Sequence, residues 1–579
     1  MEHMTGIAAS RGIGIGSVCR IEEHELTFEN RALTPEEVEP EKERLNSAME
    51  QYYNETTEMA DDVRKRIGPK EAEILEGHLI MASDPAMSGE MVKVIEGGQC
   101  AEQAVSSVCD MFIGIFNNMD DELMRARAAD VKDIRDGLLK ILLGIQEVNI
   151  GKLAPGTVIV AKELTPSMTS QIRKESVVGI LTETGSKTSH SAILARSLEI
   201  PAVLSVPDVL SLVKDKDTVI VDGTEGEVFL NPDGDVLAKY ILRREDFIRK
   251  QEELRRFKGK ETLTKDGTKL DLFCNIGTPK DAKKAIECDG EGIGLFRSEF
   301  LFMDNTHMPS EDEQFEAYKE AVETMGGRTV IIRTLDIGGD KDIPYLNMKK
   351  EENPFLGYRA VRYCLGNPEM YRMQLRAILR ASAFGKVQIM IPLVTCVDEV
   401  RAVKALVKEL MKELDAEGVA YDRDIKVGCM IETPSASLIA DLLAKEADFF
   451  SIGTNDLTQY TMSVDRGNPN VAYLYSAFQP SVLRSIRHII QCGKEAGITV
   501  GMCGEAAADP LMIPLLMSFG LDEYSVNPVL VLTARCTISK WSKEEADAIT
   551  KKVMSLATEK EIVETLKKAA AEKEQVGAN

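Results

Sequence analysis

The chain has 579 residues, 44% hydrophobic and 28% charged, which is enough for three or four globular domains. Its formal net charge of -24 disfavours nucleic acid and anionic membranes as general partners and suits a basic protein partner. No apolar run is long enough to span a bilayer, and the first residues lack the features of a signal peptide. The eleven cysteines show no zinc-binding spacing, so we expect reduced thiols and a cytoplasmic protein.

The first half of the chain alternates between two kinds of pattern. It begins with short strands and glycine turns in GIAASRGIGIGSVCRI, and strand-like runs return at TVIVAKEL, VVGILTET, AVLSV and TVIVDG. Between them the sequence is charged, with apolar residues every three or four positions, which is typical of a bundle of about four helices. These patterns predict a discontinuous α/β domain at 1–34 and 147–232, interrupted by a helical subdomain at 35–146.

A charged amphipathic stretch without proline predicts a linker helix within 233–261. From 262 to 579 eight short β-like runs appear, most of them separated by helical segments. They are LDLFCNI, GIGLF, TVIIRTLDI, KVQIMIPL, DIKVGCMIE, DFFSIG, ITVGMCGE and DEYSV. This alternation predicts a C-terminal (β/α)8 TIM barrel.

Chemically coherent residues stand where five of these β runs end, which is where such barrels carry their active sites. They are Arg297, Arg333, Glu432, Asn455 with Asp456, and Cys503. Arginine grips carboxylate or phosphate oxygens through two parallel bonds, and Glu and Asp are oxygen ligands suited to Mg2+. The set therefore indicates a site for an anionic substrate bridged by a divalent metal.

Two further residues, and Cys503 from the set above, have both a functional and an ordinary interpretation. Lys341 and Arg466 lie on glycine-containing loops beyond two of the strands, where they are either substrate contacts or surface charges. Cys503 is either a buried packing residue or a thiol that delivers a proton to carbon.

His190 stands out among the six histidines because a glycine turn precedes it and an apolar helical stretch follows it. Free N–H groups and the positive end of the dipole at a helix start favour an attached phosphate. The neighbouring hydroxyls of Thr188, Ser189 and Ser191 offer further hydrogen bonds. Without more context, His190 is also compatible with an ordinary role in a capping loop.

Taken together, these motifs resemble the phosphoenolpyruvate-utilising enzymes. The segment GSKTSHSAILARSLEIPAV is similar to the phosphohistidine signature of that family. Six more segments are similar to its barrel motifs: GIGLFRSEFLFM, RTLDIGGDK, NPFLGYRAVR, VGCMIETPSA, FFSIGTNDLTQYTMSVDR and CGEAAADP. The domain order resembles the Enzyme I branch, which serves the bacterial sugar phosphotransferase system, because no ATP-grasp domain precedes the phosphohistidine domain.

The resemblance implies a multidomain α/β protein with a swivelling phosphohistidine domain, an inserted helical bundle, a linker helix and a TIM barrel that forms a homodimer. It implies that phosphoenolpyruvate phosphorylates His190, which then phosphorylates a histidine of the phosphocarrier protein HPr, docked on the helical insertion. It further implies roles for the site residues. Arg297, Arg333, Asn455 and Arg466, with Lys341 nearby, bind phosphoenolpyruvate, Glu432 and Asp456 ligate Mg2+, and Cys503 protonates the enolate.

One departure and two alternatives accompany this interpretation. The family usually has Gly-Gly-Arg or a close variant before Thr-Ser-His, whereas this chain has Gly185-Ser186-Lys187, which changes fine geometry rather than reaction class. The first alternative is a nucleotide-dependent dikinase or synthase, which the missing ATP-grasp domain and P-loop disfavour. The second is a non-catalytic regulatory paralogue, which the complete set of site residues disfavours.

Overall fold

The computed structural model describes residues 2–21, 26–66, 69–119, 122–145, 150–165, 168–169, 171–186, 189–303, 305–338, 343–346 and 348–577. The chain divides into two compact units, 1–251 and 252–579. No helix among the described residues combines the length and apolarity needed to cross a membrane. The domain limits given above remain predictions, although the two units agree with a division near the predicted linker.

The first unit contains one eight-stranded sheet built from both sides of the helical insertion. Its strands are β1 (Glu2–Thr5), β2 (Ile7–Ser10), β3 (Ile13–Ile21), β4 (Thr157–Ala161), β5 (Val177–Thr182), β6 (Ala202–Leu204), β7 (Thr218–Asp222) and β8 (Glu227–Leu230). They are ordered β1-β8-β7-β3-β4-β5-β6-β2, and β3 pairs in parallel with β4 across the insertion. The predicted interruption of an α/β domain by helices is therefore what the structure contains.

The insertion holds five helices among its described residues, one more than the four or so predicted. They are α1 (Val38–Arg66), α2 (Pro69–Ala82), α3 (Pro85–Glu96), α4 (Ala101–Asn117) and α5 (Glu122–Leu143). Apolar residues at helical spacing, such as Leu45, Val105 and Ile134, form their shared core. Pro85 begins α3 directly after the capping residue Asp84. This cap and proline start a new helix within the continuous helical pattern, which explains the additional helix.

Among the residues that the structure describes, this part of the chain also contains the helices α6 (His190–Ser197), α7 (Val209–Leu212) and α8 (Gly234–Arg255), with a short 3-10 helix at Ile150–Lys152. Helix α8 confirms the helix predicted between 233 and 261. Only Tyr240 of its residues is fully buried, which accounts for its charged sequence.

The second unit is built around a closed barrel of eight parallel strands, as predicted. The strands are β9 (Asp271–Ile276), β10 (Ile293–Arg297), β11 (Val330–Arg333), β12 (Val387–Ile391), β13 (Lys426–Ile431), β14 (Phe449–Ile452), β15 (Thr499–Met502) and β16 (Glu523–Val526). Seven fall within the predicted β runs and β10 extends one residue beyond its run, to Arg297, because strands buried on both faces give continuous apolar segments. Parallel closure brings all their carboxyl ends to one rim, the mouth of the barrel.

Helices surround the barrel and bury its outer face. They are α9 (Asp281–Glu287), α10 (Glu299–Met303), α11 (Glu311–Thr324), α12 (Val361–Gly366), α13 (Pro368–Ala381), α14 (Val397–Glu417), α15 (Pro434–Leu438), α16 (Ala440–Leu443), α17 (Thr454–Met462), α18 (Pro480–Glu495), α19 (Ile513–Phe519), α20 (Val531–Ser539), α21 (Lys543–Val553) and α22 (Glu559–Gly577). Short 3-10 helices occur at Pro344–Leu346, Pro354–Leu356, Ser382–Phe384, Ala472–Leu474, Glu505–Ala508 and Pro528–Leu530.

Candidate active site

A cavity of about 560 Å³ opens at the mouth of the barrel. Its lining includes seven of the residues predicted from the strand ends and their loops: Arg297, Arg333, Glu432, Asn455, Asp456, Arg466 and Cys503. Lys341, the eighth predicted barrel residue, lies outside the described residues. The structure thus brings the seven together, while their individual roles remain predictions.

The strands place these side chains at the rim. Arg297 and Arg333 are the last residues of β10 and β11, and Glu432 and Cys503 directly follow β13 and β15. Asp456 lies in the first turn of α17, which begins just after β14. Because parallel strands end together, short sequence offsets from each strand are enough to assemble the site.

Arg333 is held between two buried carboxylates. Its Nη2 donates to Glu299 Oε1 at 2.6 Å, and its Nη1 lies 2.9 Å from Asp336 Oδ2. Burial alone would lower the pKa of Arg333, but the charges of Glu299 and Asp336 outweigh it and raise that pKa. The guanidinium is therefore charged and oriented before any substrate arrives.

Arg359 is a second buried guanidinium in the cavity wall, and the sequence interpretation did not single it out. Its Nη2 lies 2.8 Å from Asp336 Oδ1 and 3.4 Å from Asp456 Oδ2. Asp336 thus bridges Arg333 and Arg359. Arg359 occurs within the quoted segment NPFLGYRAVR but far from any strand end, so the strand-end criterion could not find it. The family motif carried the only available signal.

Two other arginines of the cavity are less restrained. The side chain of Arg466 is 41% exposed, with Nη1 at 3.4 Å from Asp456 Oδ1. Arg297 is half-buried, and it forms no ion pair with any residue that the structure describes. The cavity therefore combines two fixed cations with two that remain available to an anionic ligand.

Asn455 sits beside this cation set with its amide already oriented. Its Oδ1 accepts a hydrogen bond from the backbone N–H of Glu505 at 3.3 Å. The amide nitrogen of Asn455 forms no hydrogen bond with the residues that the structure describes, so it is the group that can donate to an anionic oxygen.

Glu432 and Asp456 provide a donor set that fits a hard divalent cation. Glu432 is buried, and burial together with the nearby charges of Asp456 and Asp336 raises its pKa above the ordinary range of a carboxyl group. A Cβ at Gly453 would lie 2.6 Å from Glu432 Oε2, so the glycine keeps the space beside that oxygen open. No cluster of three or more metal-ligating side chains occurs within the described part of the chain. Two carboxylates nevertheless suit Mg2+, which keeps several waters and binds substrate oxygens.

Cys503 lies in the cavity wall with its side chain buried. Burial raises the pKa of its thiol to about 11, although a hydrogen bond with Ser451 and the charge of Arg333 act in the opposite direction. At neutral pH the group is therefore a thiol that holds a proton, which is the form that a proton donor requires.

His190 is the first residue of α6 in the other unit, as the sequence predicted. The hydroxyl of Ser189 caps this helix by accepting from the N–H of Ala192 at 3.4 Å. The expectation that Ser189 and Ser191 offer their hydroxyl protons to a ligand is wrong for this conformation. Ser189 donates to the carbonyl of Ser186 at 2.9 Å and Ser191 to that of Leu164 at 3.2 Å. Thr188 and Lys187 lie outside the described residues.

Three family models match the chain, and together they span most of it. The PEP-utilising enzyme N-terminal model matches residues 5–127, the mobile-domain model matches 153–226, and the PEP-binding-domain model matches 251–543. The last of these alone covers the strands and the mouth of the barrel.

Relatives named phosphoenolpyruvate-protein phosphotransferase align over nearly the full length. The protein of Priestia megaterium is 43% identical over 98% of this chain and 99% of its own. That of Geobacillus stearothermophilus is 45% identical over 97% of each chain, and that of Bacillus subtilis is 43% identical over 98% of this chain and 99% of its own. The chain therefore belongs to the phosphoenolpyruvate-utilising enzyme family and groups with its phosphoenolpyruvate-protein phosphotransferases.

Proposed function

We propose that this protein transfers the phosphoryl group of phosphoenolpyruvate to His190 and then to a histidine of HPr, releasing pyruvate as the first step of sugar uptake by the phosphotransferase system. The observation that carries the proposal is the cation set around the 560 Å³ cavity, with two carboxylates and a protonated thiol in the same wall. A substrate with a phosphate, a carboxylate and a carbon to be protonated matches each of these groups.

Arg333 and Arg359 are fixed by carboxylates, so they present donors without reorganising when the substrate binds. Arg297, Arg466 and the Asn455 amide complete the grip on the anionic oxygens. Mg2+ held by Glu432 and Asp456 would supply additional positive charge to the phosphate oxygens. Neutralising the phosphate in this way allows an uncharged imidazole to attack phosphorus.

In the first half reaction the P–O bond of phosphoenolpyruvate breaks and a P–N bond to His190 forms, leaving the enolate of pyruvate. The S–H bond of Cys503 then breaks as a C–H bond forms at C3, and the thiolate recovers a proton from solvent. In the second half reaction the P–N bond breaks and the phosphoryl group passes to HPr. Because His190 belongs to a different unit from the barrel, the mobile phosphohistidine domain carries the phosphoryl group between the two sites.

The helix start at His190 supports its role as the acceptor. The position at the start of α6, with the positive end of the helix dipole, favours a phosphoryl group on that residue. We further propose that HPr docks on the helical insertion, that the barrel forms the dimer interface, and that the enzyme acts in the cytoplasm.

The test is incubation with phosphoenolpyruvate labelled in its phosphate, with Mg2+, followed by addition of purified HPr. We expect acid-labile label on the wild type, none on His190→Ala, and transfer of label from the wild type to HPr. Label that appears on His190→Ala would assign the acceptor elsewhere. Label that leaves the protein only when AMP is added together with phosphate or pyrophosphate, and appears in ATP, would instead support the dikinase alternative.

A further inference from the structure

The backbone of Cys503 is held from two sides of the barrel. Its N–H donates to the carbonyl of Ile452 in β14 at 3.2 Å. On the other side, the pairing of β15 with β16 ends at Met502 and Tyr524, one residue before Cys503. The carbonyl of Cys503 therefore lies beyond the ladder that would otherwise have bound it.

The side-chain amide of Asn275, on β9, takes over this carbonyl. Its Nδ2 donates to Cys503 O at 2.9 Å and to Ser525 O at 3.2 Å. Its Oδ1 accepts from the hydroxyl of Ser525 at 2.7 Å. Because the amide nitrogen faces two acceptors and its oxygen faces one donor, the orientation of the amide is fixed by its partners.

Resting on the proposed function, we propose that Asn275 is a positioning residue that aims the Cys503 thiol at C3 of the enolate. The amide joins the ends of β9, β15 and β16 at the residue that carries the reactive sulfur. A donor that holds the Cys503 carbonyl in place restricts the backbone rotation of Cys503, and with it the direction of the Cys503 side chain. No ionic contact to the substrate is involved, so phosphoryl transfer does not depend on this amide.

This division between the two steps makes the role measurable. The S–H bond of Cys503 breaks and a C–H bond forms at C3, so a misplaced thiol slows this step alone. Misplacing a reacting group by about 1 Å costs up to roughly 100-fold in rate. The enolate then leaves the site unprotonated and is protonated in water on either face.

The experiment uses phosphoenolpyruvate with deuterium at one defined C3 position, tritiated water and the full-length enzyme with HPr. Protonation on the enzyme gives pyruvate with a chiral methyl group, whereas protonation in water gives a racemic one. We expect Asn275→Ala to form phosphohistidine at close to the wild-type rate while the methyl group becomes largely racemic. Protonation at Cys503 should slow by about 10- to 100-fold.

Asn367→Ala is the matched control, because the Asn367 amide also donates to a backbone carbonyl, that of Tyr363, at 2.9 Å. Asn367 does not line the cavity, and we expect this variant to retain a chiral product. If Asn275→Ala does not fold, Ser525→Ala decides, since it removes only the hydroxyl that orients the amide. We expect Ser525→Ala to cause partial racemisation.

The outcomes separate the two proposals. Chiral product from Cys503→Ala would remove Cys503 from the proposed reaction, and with it this inference. The role of Asn275 alone would be overturned if Cys503→Ala gave a racemic product while Asn275→Ala gave a chiral one. Where Asn275→Ala does not fold, a chiral product from Ser525→Ala would have the same meaning. An equal loss of phosphohistidine formation and of protonation in Asn275→Ala would also overturn it, because that pattern indicates general damage to the barrel.

Discussion

The two ends of the barrel interior both contain buried carboxylates, but in opposite surroundings. At the mouth, Glu299 and Asp336 are paired with Arg333 at 2.6 and 2.9 Å. At the base, Glu523 begins β16, and the charges that act on its pKa are those of Asp271 and Asp522, both acidic. Its Oε1 has no hydrogen-bond partner among the described residues. The Glu299–Arg333–Asp336 cluster at the mouth thus holds charge in compensated form, while the only charges that act on the pKa of Glu523 at the base are acidic.

The surroundings of each carboxyl group determine whether it is charged in the folded protein. The charges of Glu299, Arg333 and Asp336 stabilise one another, so this cluster is charged in the native state and its guanidinium can bind an anion. At the base, burial and like charges raise the pKa of Glu523 to about 8, which favours its neutral form. Room for that side chain comes from glycines, since a Cβ at Gly294 or Gly501 would lie 2.2 Å from a Glu523 oxygen.

The largest effect is expected from Cys503→Ala at the mouth. General acid catalysis contributes about 10²- to 10⁴-fold, so pyruvate formation should fall by that factor. The KM for phosphoenolpyruvate should change little, because the thiol contributes no charge to binding. Steady-state kinetics with HPr as acceptor measures both quantities. Unchanged turnover that still gives a chiral methyl group would remove Cys503 from the role of proton donor, because an enolate that leaves the site and is protonated in water gives a racemic one.

The next effect is expected from Glu299→Ala, which breaks a buried pair from one side. Removing one partner of such a pair costs about 3–5 kcal/mol, and here Asp336 retains part of the compensation. We therefore expect a lower melting temperature of the barrel unit and a higher KM, because Arg333 loses one of its two anchors. Calorimetry and kinetics provide the two readouts. Glu299→Gln is the control, because it keeps a hydrogen-bond acceptor of the same shape, and an equal loss in both variants would attribute the effect to charge alone.

The mouth also shows how far sequence can predict a site. Arg297, Arg333, Glu432 and Cys503 were found because each ends or directly follows a strand, and apolar runs locate strand ends well. The eight barrel strands were identified for the same reason. Each of these site residues lies next to its strand in the sequence, so the amino-acid sequence alone is enough to predict it.

The partners of these residues could not be predicted in the same way. Asp336 and Arg359 stand on loops, and which side chains meet there depends on backbone angles such as the positive φ of 53° at Ala360. Asn275 and Ser525 are separated by 250 residues, yet they are in hydrogen-bond contact across neighbouring strands. Contacts of this kind depend on barrel closure and register, which no local pattern contains.

At the base, Glu523→Gln should make the barrel more stable at high pH. The folded pKa of Glu523, about 8, exceeds its ordinary value of 4.5, so the folded state binds more protons in between. The free energy of unfolding of the wild type therefore falls as pH rises through this window, by about 1 kcal/mol per pH unit. Melting temperatures of both proteins from pH 5 to 9 test this. The difference in melting temperature between the variant and the wild type should increase with pH up to about pH 8. Two curves that run parallel over the whole pH range would contradict the prediction.

The same substitution at a partly exposed, paired glutamate, Glu446→Gln, should have the smallest effect and the opposite pH dependence. The hydrogen bond from Arg401, with Nη2 at 2.7 Å from Glu446 Oε1, lowers the pKa of this carboxyl. Its contribution to stability is therefore present at neutral pH and is lost as pH falls through the lowered pKa. Salt screens an exposed pair, so the difference from wild type should shrink further at high ionic strength. If the melting temperature of Glu446→Gln followed the same pH trend as that of Glu523→Gln, the prediction would be contradicted. Both trends would then come from the titration of other groups, not from the burial of Glu523 without an opposite charge.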